Sequence, residues 1–401
     1  MIKRLVLKNF GPFESAEVRF DNFTAILGRN GAGKSLVFTA LKGLGRVTRY
    51  PLRYFEPSSY MGGFPTRTGQ VSFDDIVHKK DPTKKITLRA EFETEKVKGF
   101  YQVVLGHWHS PGGVLVEEEL DVEHDGHHFK LKANEDGTVE GVPVGLRQRY
   151  STPRFASAPI ILYKSRDPKH VAIGSAIQEA LAHDIGIYRF DPTALKTPAE
   201  VGRPFTPTGY GFAAYLDQIR NEVGGTEEFG RLLARFREVC PHVQDVLLPS
   251  EGPGSYTDEP SAKRRKEIVA RKRIELVMPA TEGAIPADLE SDGTILLLAY
   301  ASLLHGTRQF KTICIEEPEN GVHPKVVPML VKMLQQISRE HDGRPGAQLL
   351  ICTHSRTILD ELKADPSSIR LITRAADGRS SIEHMSSVDL PTIAGRAGLA
   401  S

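Results

Sequence analysis

The sequence predicts an α/β fold with a mixed or antiparallel β-subdomain and a helical lobe. Three observations predict it. The stretch Gly28-Arg29-Asn30-Gly31-Ala32-Gly33-Lys34-Ser35 fits G-x-x-x-x-G-K-[ST] without a mismatch, between an apolar run at 23–27 and a helix-like run at 36–42. Two further short apolar runs, 313–318 and 348–355, have polar ends, as buried strands do. Between residues 86 and 132 several segments alternate apolar and polar residues, the pattern of antiparallel strands.

Composition sets the outer bounds. The 401 residues are 40% hydrophobic and 25% charged, an ordinary globular balance. A net charge of +2 makes no case for a nucleic-acid binder of the whole molecule, so any basic surface must be local. Three cysteines, Cys240, Cys314 and Cys352, two of them in strand-like runs, read as reduced and buried thiols of a cytoplasmic protein. Residues 1–6 are too short and too alternating for a signal peptide. The longest apolar run, 295–304, is about half the ~20 residues a membrane span needs, so no membrane is expected.

In chain order, residues 2–7 alternate as a half-buried strand, 9–13 form a turn, and 16–20 form a second strand. Residues 43–85, rich in proline and glycine, read as a long irregular loop. Strands follow at 86–92, 100–105, 114–120 and 127–131, in a meander. His107, His109, His124, His127 and His128 lie there; without Cys or carboxylate at ligand spacing they read as solvated strand ends rather than a metal site. A strand is predicted at 158–163, a helix at 172–182, and a strand at 185–190 that stops at Asp191-Pro192. Helices at 210–222 and 226–239 form the lobe; Phe229, Leu232, Leu233, Phe236 and Val239 recur with helical period. Residues 249–262 read as loop, and Lys263-Arg264-Arg265-Lys266 with Arg271-Lys272-Arg273 is the densest positive charge. That run reads as a solvated face before it reads as a phosphate-tracking patch, because no aromatics interleave with it. A helix at 325–337 and a strand at 371–373 complete the reading. Three segments result: 1–200 with the glycine-rich turn and β-subdomain, 201–285 with the lobe and basic loop, and 286–401 with the remaining motifs.

The motifs share one chemistry. Strand, glycine turn and helix start make a socket for phosphate, with loop N–H groups turned inward. The stretch from Gly28 through Arg29, Asn30, Gly31, Ala32, Gly33, Lys34 and Ser35 to Leu36 is expected to hold a nucleotide, with Lys34 on the β- and γ-phosphates and the Ser35 hydroxyl on Mg²⁺. A buried strand ending in Glu316-Glu317 supplies what a Mg²⁺–nucleotide site needs: Glu316 in the metal's shell and Glu317 to orient water. His354 follows a strand and is placed to sense the γ-phosphate. Ser291, Asp292 and Gly293 begin a helix that Ser291 caps, and helix starts bind anions.

This ordered set, P-loop, Ser-Asp-Gly-Thr, Ile-Glu-Glu-Pro-Glu and Thr-His-Ser, resembles the ABC-type head ATPases. More closely it resembles the AAA-15/AAA-21 group, related to RecF, the structural-maintenance-of-chromosomes (SMC) heads and the overcoming-lysogenization-defect nucleases, from Leu5 to about Arg374. The resemblance implies an ATPase that uses ATP and Mg²⁺ and forms a homodimer, each ATP lying between one P-loop and the other subunit's signature. Ser291 and Gly293 would then meet the partner's γ-phosphate, Asn320-Gly321-Val322-His323 would cross the interface, and His354 would be the switch histidine. Two departures are Glu290 where an apolar residue is usual and Glu316 where many relatives have Asp. About 45 residues follow His354, too few for a nuclease domain, so a nuclease or toxin effector is expected on another polypeptide. The implied task is ATP-driven action on DNA or on that effector, in repair or anti-phage defence; the alternative is an ATP-binding regulator that holds an effector inactive.

Overall fold

In the computed structural model the strand Phe23–Gly28 runs parallel between Gln348–Thr353 and Ile369–Arg374. Every residue of Phe23–Gly28 and Gln348–Thr353 is buried, which explains why both read as continuous apolar runs. The structure describes residues 1–50, 64–66, 69–71, 73–107, 113–141, 156–251, 270–279, 283–303, 305, 310–339, 346–386 and 395. The chain divides into two units: Met1–Gly186, Phe310–Cys314 and Gln348–Ser401 form the first, and Ile187–Gln309 with Ile315–Ala347 the second.

The first unit opens with the antiparallel pair Ile2–Phe10 and Phe13–Arg19, in which Ile2, Leu5, Leu7 and Phe10 face the core. This pair extends the expected meander into a seven-stranded sheet. Its order is Val139–Glu140, His127–Ala133, Gly113–His124, Val97–His107, Ile86–Glu93, Ile2–Phe10, Phe13–Arg19. The six-stranded sheet has the order Ile185–Tyr188, Thr312–Glu316, Gln348–Thr353, Phe23–Gly28, Ile369–Arg374, Ser380–His384. Within the first unit Gln348 ties both sheets. Its side chain, 1% exposed with its residue, donates to the carbonyls of Ile2 (2.6 Å) and Asp21 (3.1 Å) and accepts from Ile2 N (2.9 Å) and Thr312 Oγ1 (3.1 Å).

Two expectations are corrected here, and two others are extended. The helix after the glycine turn is Lys34–Arg49, so residues 43–49 are helical and not loop. Gly45 is there for packing: a Cβ would fall 2.3 Å from the carbonyl oxygen of Leu181. The remainder of that supposed loop holds the short pair Phe64–Thr66 and Gly69–Val71 and the turn of helix Phe73–Ile76; residues 51–63 lie outside the described residues. Residues 158–163, expected as a strand, form the helix Ala158–Tyr163. Pro159 near its start suits a helix, and its apolar faces are buried beside Pro168–Gln178, where a Cβ on Gly174 would lie 2.6 Å from Tyr163 N. Finally, the strand at 371–373 is one arm of a hairpin, Ile369–Arg374 with Ser380–His384. The predicted helix at 172–182 starts earlier, at Pro168, where the Asp167 side chain accepts from Lys169 N, and passes into a π turn at Glu179–His183.

The second unit contains the expected lobe helices, Phe212–Asn221 and Gly225–Val239, together with Asp292–Ser302 and Val327–Ile337. Asp191 caps the short helix Pro192–Lys196 by accepting from Thr193 N at 2.9 Å. Phe190, Phe205 and Tyr215 stack in its core with Tyr300 tilted against Phe190, and burial pushes the Tyr300 hydroxyl well above its ordinary pKa. Two three-stranded sheets, which the sequence did not announce, complete it: Asp245–Leu247, Glu275–Val277, Ala284–Pro286, and Ala199–Glu200, Arg271–Lys272, Ser250–Glu251.

Candidate active site

In the first unit the turn after Phe23–Gly28 leaves Arg29, Asn30 and Gly31 exposed, buries Ala32, and places Lys34 and Ser35 on the first turn of the helix. Gly31 has φ 77° and Gly33 φ 109°, a left-handed backbone that side chains resist. Gly33 has a second reason to be glycine: a Cβ would lie 2.9 Å from Phe13 Cζ. Lys34, 7% exposed, turns its ammonium onto the loop, donating to the carbonyls of Gly28 (2.7 Å) and Arg29 (3.1 Å). Ser35 is exposed, and its own carbonyl accepts from Thr39 Oγ1. Leu36 is half-buried and its N–H donates to Gly33 O at 3.1 Å.

Two residues that sequence reading missed hold this turn from the C-terminal hairpin. Arg374 Nη1 donates to Gly31 O at 2.8 Å, and the buried Ser380 Oγ donates to Ala32 O at 2.8 Å. Because the N–H and C=O of a trans peptide point opposite ways, holding Ala32 O on Ser380 turns the Gly33 N–H away from the hairpin. A usable signal was Asp377-Gly378 between two alternating runs, a hairpin mark. Thr353 pairs with Leu27 in the parallel register, so His354 and Gly28 leave the sheet side by side, and His354 is exposed.

The second unit carries the remaining motif residues. The strand Thr312–Glu316 ends at the acids, and Glu317 has φ 49°. Arg189, also missed, forks between them: Nη2 donates to Glu317 Oε2 at 2.5 Å and Nη1 lies 3.5 Å from Glu316 Oε2. Ser291 caps Asp292–Ser302 as expected, its Oγ accepting from Thr294 N at 3.1 Å. Asp292 and the Glu290 carbonyl both take Lys196 Nζ at 2.7 Å, which engages the charge of Asp292. Gly293 sits against the turn at Gly321, where a Cβ would be 3.4 Å from Gly321 O.

The donor set fits a Mg²⁺–nucleotide: a turn with two left-handed glycines, a buried ammonium seated on its carbonyls, and the exposed Ser35 on the first helical turn. Among the described residues no group of three or more His, Cys, Asp or Glu is placed to hold a metal. Mg²⁺ asks for no such cage, since it keeps several waters and takes one or two carboxylates plus phosphate oxygens. Of the meander histidines, His107 and His128 pair with Asp74 (2.8 Å) and Asp121 (2.7 Å), and His109 lies outside the described residues. The basic run is divided similarly. Residues 263–266 are outside the described residues, whereas Lys272 pairs with Asp217 at 3.0 Å, Arg273 with Glu275 at 2.5 Å, and Arg271 donates to Pro198 O.

A family described as "AAA ATPase domain" matches residues 1–183, and one described as "AAA domain, putative AbiEii toxin, Type IV TA system" matches residues 221–360. The two matches together support a P-loop ATPase head of the ABC/AAA-15 type. The ATPase head has the fold of a solved SMC head bound to the C-winged helix domain of ScpA, with 13% identity, TM-score 0.50, and coverage of 96% of this chain and 97% of that one. Also similar are the SMC head domain from Thermotoga maritima (14% identity, TM-score 0.44, 96% and 99% covered) and an Smc head with an extended coiled coil bound to the C-terminal domain of ScpA, derived from Pyrococcus furiosus (12%, 0.49, 98% and 98%). No curated protein matches the chain. The head binds nucleotide and hydrolyses ATP as its class does. No described helix is long and apolar enough to cross a membrane.

Proposed function

We propose that this ATPase head requires Mg²⁺, pairs with a second copy when ATP is bound, and uses hydrolysis to act on DNA or on a separate effector protein in the cytoplasm. The observation that carries this reading is the latched glycine turn with the Lys34 ammonium seated on the loop. Gly28 to Leu36 bind the phosphates, and Ser35 and Glu316 supply Mg²⁺ ligands. Mg²⁺ would contribute charge neutralisation on the phosphate oxygens. Glu317 orients and deprotonates the attacking water, Lys34 stabilises charge that develops on the phosphates, and His354 reads the γ-phosphate.

The exposed cap at Ser291, with Asp292 and Gly293, supports a role toward a second copy's nucleotide, since the positive end of a helix favours an anion. A partner protein is supported by analogy with the SMC head solved with ScpA. Measured phosphate release from the full chain, with Lys34→Ala and Glu317→Gln beside it, tests the reading: both variants should lose turnover, and only Lys34→Ala should lose ATP. Turnover unchanged in Glu317→Gln would refute the assigned role.

A second reading has its own support. In this structure both acids are engaged by Arg189, as suits a regulator in which ATP binding sets the state of an effector and turnover is incidental. Output that survives Glu317→Gln favours the regulator; output lost while ATP still binds favours the motor.

A further inference from the structure

Consecutive residues of an extended strand send their side chains to opposite faces. Glu316 and Glu317 escape that rule because the strand ends at Glu316 and Glu317 adopts φ 49°. Both carboxylates therefore reach one guanidinium, that of Arg189, at 3.5 and 2.5 Å. The three side chains are 12%, 19% and 24% exposed, so water screens them little. Two carboxylates held this close repel each other, and a planar fork of N–H donors answers that repulsion with one positive charge. A divalent cation answers the same repulsion with two charges, and it competes with Nη1 for the Glu316 carboxylate.

We propose that Arg189 is an internal counter-ion that occupies the place on Glu316 taken by a divalent cation, so that cation binding and release of the arginine fork are a single exchange. This rests on the reading of Glu316 as the cation-side acid. While the fork is closed, Glu317 has an oxygen committed to Arg189 and is a poorer acceptor for a water proton. When the fork opens, that oxygen is returned, and the guanidinium charge becomes available to an anion. Arg189 thus acts through Glu316 and Glu317 as a positioning residue.

Manganese, a paramagnetic substitute for magnesium, provides the test. Its binding to the full chain is titrated by electron paramagnetic resonance with nucleotide absent. Arg189→Gln should bind Mn²⁺ about tenfold or more tightly than the unsubstituted chain, the low end of what one nearby charge does to a carboxylate site. Adding Glu316→Gln to Arg189→Gln should remove the gain. Arg189→Lys, which keeps the charge but cannot fork, should fall between the two and carries the test if circular dichroism shows Arg189→Gln to be misfolded. Equal Mn²⁺ affinity in the substituted and unsubstituted chains overturns the proposal, as does a gain that persists without Glu316. A parallel titration with a fluorescent ATP analogue keeps the two readings apart. If Lys34→Ala abolishes ATP binding while Arg189→Gln leaves Mn²⁺ affinity unchanged, the nucleotide-site reading survives and the counter-ion exchange falls.

Discussion

Replacing both Arg374 and Ser380 by alanine should weaken ATP binding without touching any residue of the glycine turn. Arg374 gives Gly31 O one exposed hydrogen bond and Ser380 gives Ala32 O one buried hydrogen bond, each 2.8 Å long. The exposed bond is worth about 0.5 kcal/mol and the buried one about 1.5 kcal/mol, so about 2 kcal/mol of loop order is at stake. If that order is lost in the variant and must be restored on binding, the Kd for ATP rises about thirtyfold. Ser380→Ala alone should account for about tenfold, because the Ala32 carbonyl then has to find water and the Gly33 N–H loses its fixed direction. Titration with a fluorescent ATP analogue reads the affinity, and urea unfolding of the same samples shows whether the whole domain has been weakened. An affinity within about twofold of the unsubstituted chain, with unfolding unchanged, would refute the idea that the hairpin preorganises the turn.

Four other outcomes are expected. Glu317→Gln should cut phosphate release by about a hundredfold or more while ATP affinity changes little. Ser291→Arg should abolish ATP-dependent association, read by light scattering with and without nucleotide, and leave ATP affinity within about twofold. Gln348→Leu removes three buried hydrogen bonds and a part-buried one and strands their partners, so urea unfolding should report a loss of about 3–5 kcal/mol, and a loss below about 1 kcal/mol would contradict the bridging role. Neutralising Lys263, Arg264, Arg265 and Lys266 should lower affinity for DNA and flatten its salt dependence if the head touches DNA there; unchanged binding ends that reading.

Local chemistry was readable in the sequence because it is local. Eight residues of loop pattern, a capping serine three positions before Thr294, and strands buried on both faces each declare themselves within a short window. Ala158–Tyr163 misled for a physical reason: six residues with Ile160-Ile161 are apolar on every side, and such a run has no period to separate strand from helix. Gly43 and Gly45 look like breakers, yet Gly45 serves a close backbone approach to Leu181, which lies 136 positions later. Arg189, Arg374 and Ser380 were missed because their partners are far along the chain. Arg189 meets acids 127 and 128 positions away, and the latches on the turn come from 343 and 348 positions away. No spacing rule spans such intervals.

The pairing of Phe23–Gly28 with Gln348–Thr353 and Ile369–Arg374 has a consequence for biosynthesis. A ribosome releases the first of these strands long before it makes the other two, so the apolar ribbon must wait with both edges unsatisfied through most of translation. Growing chains halted before position 348 should therefore be sticky and chaperone-bound, and the ability to hold a nucleotide should emerge abruptly, only once the last stretch has threaded in beside the first.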